Sequence, residues 1–182
     1  MSSTRAALTP AELLTLPRPV NGRHYELSNG EPIIVGNAGA KHERVKRQIL
    51  KALFRYEERY SSGAVFSESQ FTLNEGTARI PDVAFVGNVK LKSLPDADVP
   101  IPFAPDLAIE VISASEPAAD AETKVVEYLA AGVEEVWQVY PNERRVRVRR
   151  ADGIWDLEST ETLRTPVLPG FEVGVGSLFE GR

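Results

Sequence analysis

The chain contains no cysteine, only two histidines and no hydrophobic run long enough to cross a membrane. The lack of thiolates excludes zinc–cysteine sites, iron–sulfur clusters, redox pairs and cysteine nucleophiles. His24 and His42 are too few for a three-histidine metal site. A membrane span needs about 20 apolar residues, and the N-terminus lacks a basic-then-apolar signal pattern. We therefore expect a cytoplasmic protein without a membrane partner.

Positive charge is in deficit as well, with 21 Lys and Arg against 26 Asp and Glu and a net charge of −5. This balance argues against a protein that coats nucleic acid non-specifically, but a local basic patch stays compatible with it because binding depends on the field at the site. The length of 182 residues fits one domain. Within it we expect residues 1–20 to form a helical N-terminal extension. Such a chain can bury a core without disulfides or a structural metal.

Helix and strand patterns alternate along the chain. Thr9-Pro10 opens a short helix, residues 40–60 carry apolar side chains at helical spacing, and a further helix covers about 119–131. Asn29-Gly30 and Asp152-Gly153 are two-residue turns typical of β-hairpins.

Further apolar segments at residues 79–86, 107–112 and 135–140 indicate strands, the last two of the kind that is covered on both faces. The order of elements predicts a mixed α/β (α+β) fold, in which helices flank a mixed central sheet that carries extra β-hairpins.

Two acidic residues interrupt apolar strand patterns. Glu110 lies in the middle of LeuAlaIleGluValIle, and Asp82 lies in IleProAspValAlaPhe. A buried carboxylate is costly unless it is paired or binds a metal, and carboxylate oxygens are ligands that Mg²⁺ prefers. Two such residues on apolar strands make a shared site a reasonable hypothesis. The alternatives are a turn-capping role for Asp82 and a buried Glu–Arg pair for Glu110, and Asp106 at a strand entry favours capping.

Lys124 is the third candidate, on the helix that follows the Glu110 strand. It lies beside the buried stripe marked by Val125 and Leu129, with Tyr128 one turn further along. The alternative is a lysine that covers apolar surface and keeps its amine in water.

The motifs in their order resemble a known family. These are IleProAspVal, ProAspLeuAlaIleGluValIleSer, AspAlaGluThrLys followed by TyrLeuAlaAlaGlyVal, and LeuProGlyPhe. Together they resemble the Uma-type restriction endonucleases, formerly a domain of unknown function, of the PD-(D/E)XK nuclease superfamily. The resemblance runs from about Tyr25 to Phe179 and implies a restriction-endonuclease-like core.

The resemblance also implies roles. Asp82 matches the aspartate of the first half-motif and Glu110 the acid of the second, both as ligands of Mg²⁺ or Mn²⁺. The superfamily's lysine position is Ile112 here, and the Uma-type pattern supplies the lysine from the next helix, at Lys124. Glu26 and His42 match recurrent positions, Glu26 as a further metal ligand and His42 as a phosphate contact or a packing residue.

The sequence departs from the family in the loop after the Glu110 strand. The family commonly has SerProSer followed by arginines, whereas residues 113–119 read SerAlaSerGluProAlaAla. The basic residues concentrate instead on the strand 144–150, where alternation places Arg145, Arg147 and Arg149 on one face. That row could contact phosphates or be the solvated face of a hairpin.

Two hypotheses follow. The first is a Mg²⁺-dependent DNA endonuclease, which we expect to act as a homodimer because two sites cut a duplex most easily. The main-chain carbonyl of Val111 would be a further ligand by analogy with the superfamily. The second is a non-catalytic nuclease-fold protein that binds nucleic acid or a partner as a homodimer.

Overall fold

The computed structural model describes residues 7–20, 23–36, 39–97, 99–113 and 116–181. Within these ranges the helices are α1 (Pro10–Leu13), α2 (Ala40–Tyr60), α3 (Asn88–Leu91) and α4 (Ala118–Ala130), followed by a 3-10 helix at Val175–Phe179. The strands are β1 (His24–Ser28), β2 (Glu31–Val35), β3 (Gly63–Ser67), β4 (Phe71–Asn74), β5 (Thr77–Arg79), β6 (Val83–Gly87), β7 (Leu107–Val111), β8 (Glu135–Tyr140), β9 (Arg145–Arg150), β10 (Gly153–Leu157), β11 (Thr162–Arg164) and β12 (Glu172–Gly174).

The central sheet has six strands in the order β10-β9-β8-β7-β6-β3. Its β7–β8 pair is parallel and its other pairs are antiparallel, so the sheet is mixed. A second sheet has the order β2-β1-β5-β4, and β11 pairs with β12. The mixed α/β class with a mixed central sheet, flanking helices and extra hairpins is thereby confirmed.

The two faces of the central sheet are covered by different helices. On one face, α2 and the C-terminal segment bury apolar side chains that include Ile49, Leu53 and Phe85 in one core cluster. On the other face, α4 packs Val125 and Tyr128 into a separate cluster with Ala108 and Val136 of β7 and β8. Because side chains alternate along a strand, Glu110 lies on the α4 face.

Several local predictions are confirmed. Helix α2 has the predicted bounds, and α1 begins with a capping box between Thr9 and Glu12. Asn29 and Gly30 both have positive φ, as the β1–β2 hairpin turn requires. Helix α4 ends as predicted before Gly132, whose φ of +86° belongs to the left-handed region.

One predicted strand is wrong. The segment 79–86 is divided into β5 and β6, which belong to different sheets. Pro81 lies at the break and has no N–H for a strand ladder, which explains the division. Asp82 therefore lies at the entry of β6 and not inside a strand. None of the described helices is both long and apolar enough to cross a bilayer.

Candidate active site

Asp82 joins three elements where β6 begins and β7 ends in the central sheet. Its Oδ2 accepts a hydrogen bond from the main-chain N–H of Val111 at 2.7 Å and lies 3.1 Å from Nε2 of His42. Val111 is the last residue of β7 and His42 lies in the first turn of α2. The carboxylate therefore stands beside the residue that follows Glu110.

Glu110 is 6% exposed and both of its carboxylate oxygens have partners. Its Oε1 accepts a hydrogen bond from the Tyr128 hydroxyl at 2.7 Å, and its Oε2 lies 3.3 Å from Nζ of Lys124. Lys124 and Tyr128 are four residues apart on α4, so they share one face of the helix. The partner of Glu110 is thus a lysine, and not the arginine of a buried Glu–Arg pair.

Lys124 is only 8% exposed and gathers three carboxylates around its amine. Besides Glu110, Oε2 of Glu26 lies at 3.7 Å and Oε1 of Glu116 at 3.8 Å. The amine is therefore buried beside Glu110 and does not point into bulk solvent.

Both carboxylate oxygens of Glu26, on β1, accept hydrogen bonds. Its Oε2 accepts from Arg79 at 2.8 Å and its Oε1 accepts from the main-chain N–H of Ile80 at 3.0 Å. Arg79 also donates to Oε2 of Glu127 on α4 at 2.6 Å, and Glu127 accepts a hydrogen bond from Ser28. Metal binding by Glu26 stays a prediction, and these contacts favour a role in holding Lys124 and Arg79.

The charges of the site shift the pKa values of its groups. Burial raises the pKa of Glu110 to about 8, which Lys124 opposes and the nearby charges of Asp82 and Glu26 reinforce. Burial disfavours the charged form of Lys124, but the carboxylates around it, Glu110 first, outweigh this and raise its pKa. Burial also raises the pKa of Tyr128, which remains a hydrogen-bond donor at neutral pH.

His42 is poised between two carboxylates. Its ring lies 3.1 Å from Asp82 through Nε2 and 3.5 Å from Glu43 through Nδ1. Burial disfavours the imidazolium, but the hydrogen bond and charge of Asp82 outweigh this effect and raise the pKa of His42.

Arg145 and Arg147 already have acidic partners. Both bind Asp156 of β10, Arg145 at 2.6 Å and Arg147 through two hydrogen bonds of 2.8 and 2.9 Å. Strand register places Arg147 beside Gln138, which lies beside Glu110, so Arg147 is two strands or about 10 Å from the Glu110 strand. Phosphate contact by either arginine stays a prediction.

The donor set suits a divalent cation that keeps part of its water. Asp82 and Glu110 supply two carboxylates that repel each other electrostatically, and both hydrogen bonds to the Asp82 side chain from described residues fall on Oδ2. Extending the β6–β7 register by two residues places Pro81 opposite Val111, and proline has no N–H for the Val111 carbonyl. Mg²⁺ is bound by one or two carboxylates and several waters, so these residues fit it.

The same described residues do not form a ready-made cage. Across the described ranges, no three His, Asp or Glu side chains are grouped closely enough to hold a metal ion by themselves. The fit therefore rests on two carboxylates and a main-chain carbonyl.

Sequence reasoning missed part of the site, and it correctly favoured a capping role for Asp106. Tyr128, Glu116 and Arg79 contact the candidate residues, and Glu127 contacts Arg79. Only Tyr128 carried a signal in the sequence, its spacing from Lys124. Asp106 lies outside the site, since it caps the N–H of Gly87 at 2.6 Å and pairs with Lys90 at 2.7 Å. Ala114 and Ser115 of the divergent loop lie outside the described residues.

The sequence and the fold are similar to those of known proteins. None of the curated proteins matches the sequence significantly. The crystal structure of a putative nuclease belonging to DUF820 from Anabaena variabilis ATCC 29413 matches with a TM-score of 0.81 and 19% sequence identity, over 94% of this chain and 97% of that one. The sequence matches the Uma2 family model, described as "Putative restriction endonuclease", over residues 10–176. The chain belongs to the Uma2 family.

Proposed function

We propose that this protein is a Mg²⁺-dependent endonuclease that hydrolyses phosphodiester bonds of DNA, with Mn²⁺ as an alternative ion. The observation that carries the proposal is the meeting of Asp82, Glu110 and Lys124, which come from the entry of β6, from β7 and from α4. Membership of the Uma2 family supports the reaction class, and the DUF820 neighbour supports the fold on which it is built.

Each residue has a role that follows from its contacts. Asp82 and Glu110 would hold the cation, which when bound lowers the pKa of a water and polarises the scissile phosphate. The N–H of Val111 fixes the Asp82 carboxylate, and the Tyr128 hydroxyl fixes the Glu110 carboxylate.

Lys124 would stabilise negative charge that develops on the phosphate, because its raised pKa keeps the amine protonated. Glu26 is held by Arg79 and lies 3.7 Å from the amine, so its contacts favour positioning of Lys124 over the predicted metal binding.

The test compares isosteric variants in binding and in cleavage. Asp82→Asn and Glu110→Gln should each weaken Mg²⁺ or Mn²⁺ binding by isothermal titration calorimetry and lower cleavage of duplex DNA by about 100-fold or more. Asp96→Asn is the matched control, since Asp96 is an exposed acid on the loop after α3. Metal binding that is unchanged in Glu110→Gln would overturn the proposal.

The loop that departs from the family pattern favours one other function, a non-catalytic nuclease-fold protein that binds nucleic acid or a partner. Its signature is duplex binding by the wild type without any cleavage in Mg²⁺ or Mn²⁺. Cleavage that is lost in Asp82→Asn excludes it.

A further inference from the structure

Helix α2 carries a face of basic side chains that the proposed chemistry does not use. Lys41, Arg44, Gln48, Lys51 and Arg55 recur at helical spacing and lie on one side of α2, which we call the basic face. Glu43 and Glu57 lie on other sides of the helix, and Glu58 lies at the C-terminal end of this side, three residues after Arg55. From Lys41 to Arg55 the face extends about 21 Å.

The basic face differs from the strand arginines in its pairing. Arg145 and Arg147 bind Asp156, and Arg149 binds Glu122 at 2.6 Å. In the described ranges no carboxylate lies within ion-pair distance of Arg44, Lys51 or Arg55, which are all exposed. A protein of net charge −5 thus leaves positive charge uncompensated on one helix.

The basic face begins at the N-terminal turn of α2, the turn that also carries His42. Lys41 and Arg44 line a small cleft of about 130 Å³ with Asn142 and Arg144, and Lys41 donates to Oδ1 of Asn142 at 2.6 Å. His42, between Lys41 and Arg44 in sequence, contacts Asp82. Asn142 follows the end of β8, which lies in parallel register with the end of β7 at Val111.

The charge of this face selects its partner. A second copy of the chain would bring two positive faces together, and like charges repel. An array of phosphates has the complementary sign, and a duplex carries one charge about every 1.7 Å of its axis. A nucleic-acid backbone fits better than a lipid surface because Lys41 lies in the same turn of α2 as His42, and His42 contacts Asp82 of the site where a phosphodiester would be cut.

We propose that the basic face of α2 binds the phosphate backbone of duplex DNA and guides it to Asp82 and Glu110. About 21 Å is close to half a helical turn of DNA, so the face spans several phosphates. The contact is independent of sequence, since phosphates carry no base information. This inference builds on the proposed nuclease function by naming the surface that holds the substrate.

The experiment measures binding separately from cleavage. Anisotropy of a labelled mixed-sequence duplex of about 30 base pairs is followed in EDTA at several salt concentrations. The triple variant Arg44→Ala, Lys51→Ala, Arg55→Ala should lose about tenfold or more in affinity and flatten the slope of log affinity against log salt by about 2 to 3. These side chains are exposed and should not affect folding, which circular dichroism checks.

The matched control is Arg18→Ala, Lys92→Ala, Arg164→Ala, which removes the same charge from exposed positions elsewhere. Its affinity should stay within about twofold of the wild type. Equal affinity of the two triple variants would overturn the inference. So would binding of phosphatidylserine vesicles that depends on the basic face while DNA binding does not.

The two proposals fail in different ways. If DNA binding depends on the basic face but no cleavage occurs in Mg²⁺ or Mn²⁺, the nuclease proposal is wrong and the DNA-binding role of the face is supported. If the wild type cleaves DNA but both triple variants bind it with equal affinity, the nuclease proposal is supported and the role of the basic face is wrong.

Discussion

At the scale of the residue, Glu110 is a buried acid whose surroundings destabilise its ionised form. Burial raises its pKa to about 8, and Asp82 and Glu26 add negative charge nearby. Lys124 and the Tyr128 hydroxyl only partly offset this. A carboxylate held in such a place costs stability, as expected of a site that would bind a cation.

The stability of the metal-free protein should therefore depend on pH. The ordinary pKa of a glutamate is 4.5 and that of folded Glu110 is about 8, so the folded protein binds more protons between these values. The free energy of unfolding should fall as pH rises through this window and level off above about pH 8. Urea denaturation in EDTA from pH 4.5 to 8.5 measures it.

The Glu110→Gln variant is the control for this dependence. Its side chain cannot ionise, so its slope should be smaller, and it should be more stable than the wild type at the alkaline end of the window. Some slope should remain, because the pKa values of His42 and Glu116 are also raised. Identical slopes in both proteins would contradict the assignment.

At the scale of the element, α4 is held to the second sheet by a buried arginine. Arg79 of β5 bridges Glu26 of β1 and Glu127 of α4, and it is 2% exposed. The bridge sets the position of α4 and so brings Lys124 to Glu110. Removing one partner of a buried ion pair leaves an uncompensated charge.

Arg79→Met should accordingly lower the free energy of unfolding by about 3 to 5 kcal/mol. Arg164→Met is the matched control, since its pair with Glu172 is exposed and should contribute about 1 kcal/mol or less. Chemical denaturation with linear extrapolation gives both values. A loss no larger for Arg79→Met than for Arg164→Met would show that the bridge does not hold α4.

Local sequence patterns predicted the helices and strands, but they could not predict contacts between segments that are distant in sequence. Three signals act within a few residues and could therefore be predicted from the sequence: the apolar spacing of α2, the Asn29-Gly30 turn and Gly132 after α4. Arg79 pairs with residues 53 and 48 positions away, and no local pattern connects them. Pro81 also indicates the strand break before Asp82, but the prediction of one continuous strand overlooked it.

At the scale of the whole molecule, charge is strongly segregated. Helix α2 holds seven of the 21 Lys and Arg residues, while the candidate active site gathers Glu26, Asp82, Glu110 and Glu116. A chain with net charge −5 can therefore still offer a favourable approach to a polyanion on one side. Salt should weaken this approach because it screens the exposed charges.

A single copy of the chain holds one candidate active site, so cutting both strands of a duplex is easiest for two copies. We expect sedimentation of the complex with duplex DNA to give twice the 20.0 kDa of the chain plus the mass of the duplex. Supercoiled plasmid should then be converted to the linear form without much nicked intermediate. A species of 20.0 kDa that only nicks the plasmid would contradict the homodimer.

The origin of the site residues in separate segments has a consequence for folding kinetics. Glu26, Asp82, Glu110 and Lys124 span almost 100 positions and meet only when both sheets and α4 are docked. Pairings this distant in sequence close slowly, because loop closure costs entropy before the contacts repay it. Recovery of metal binding during refolding should therefore lag behind the helical circular-dichroism signal, and the site would report when the chain has finished folding.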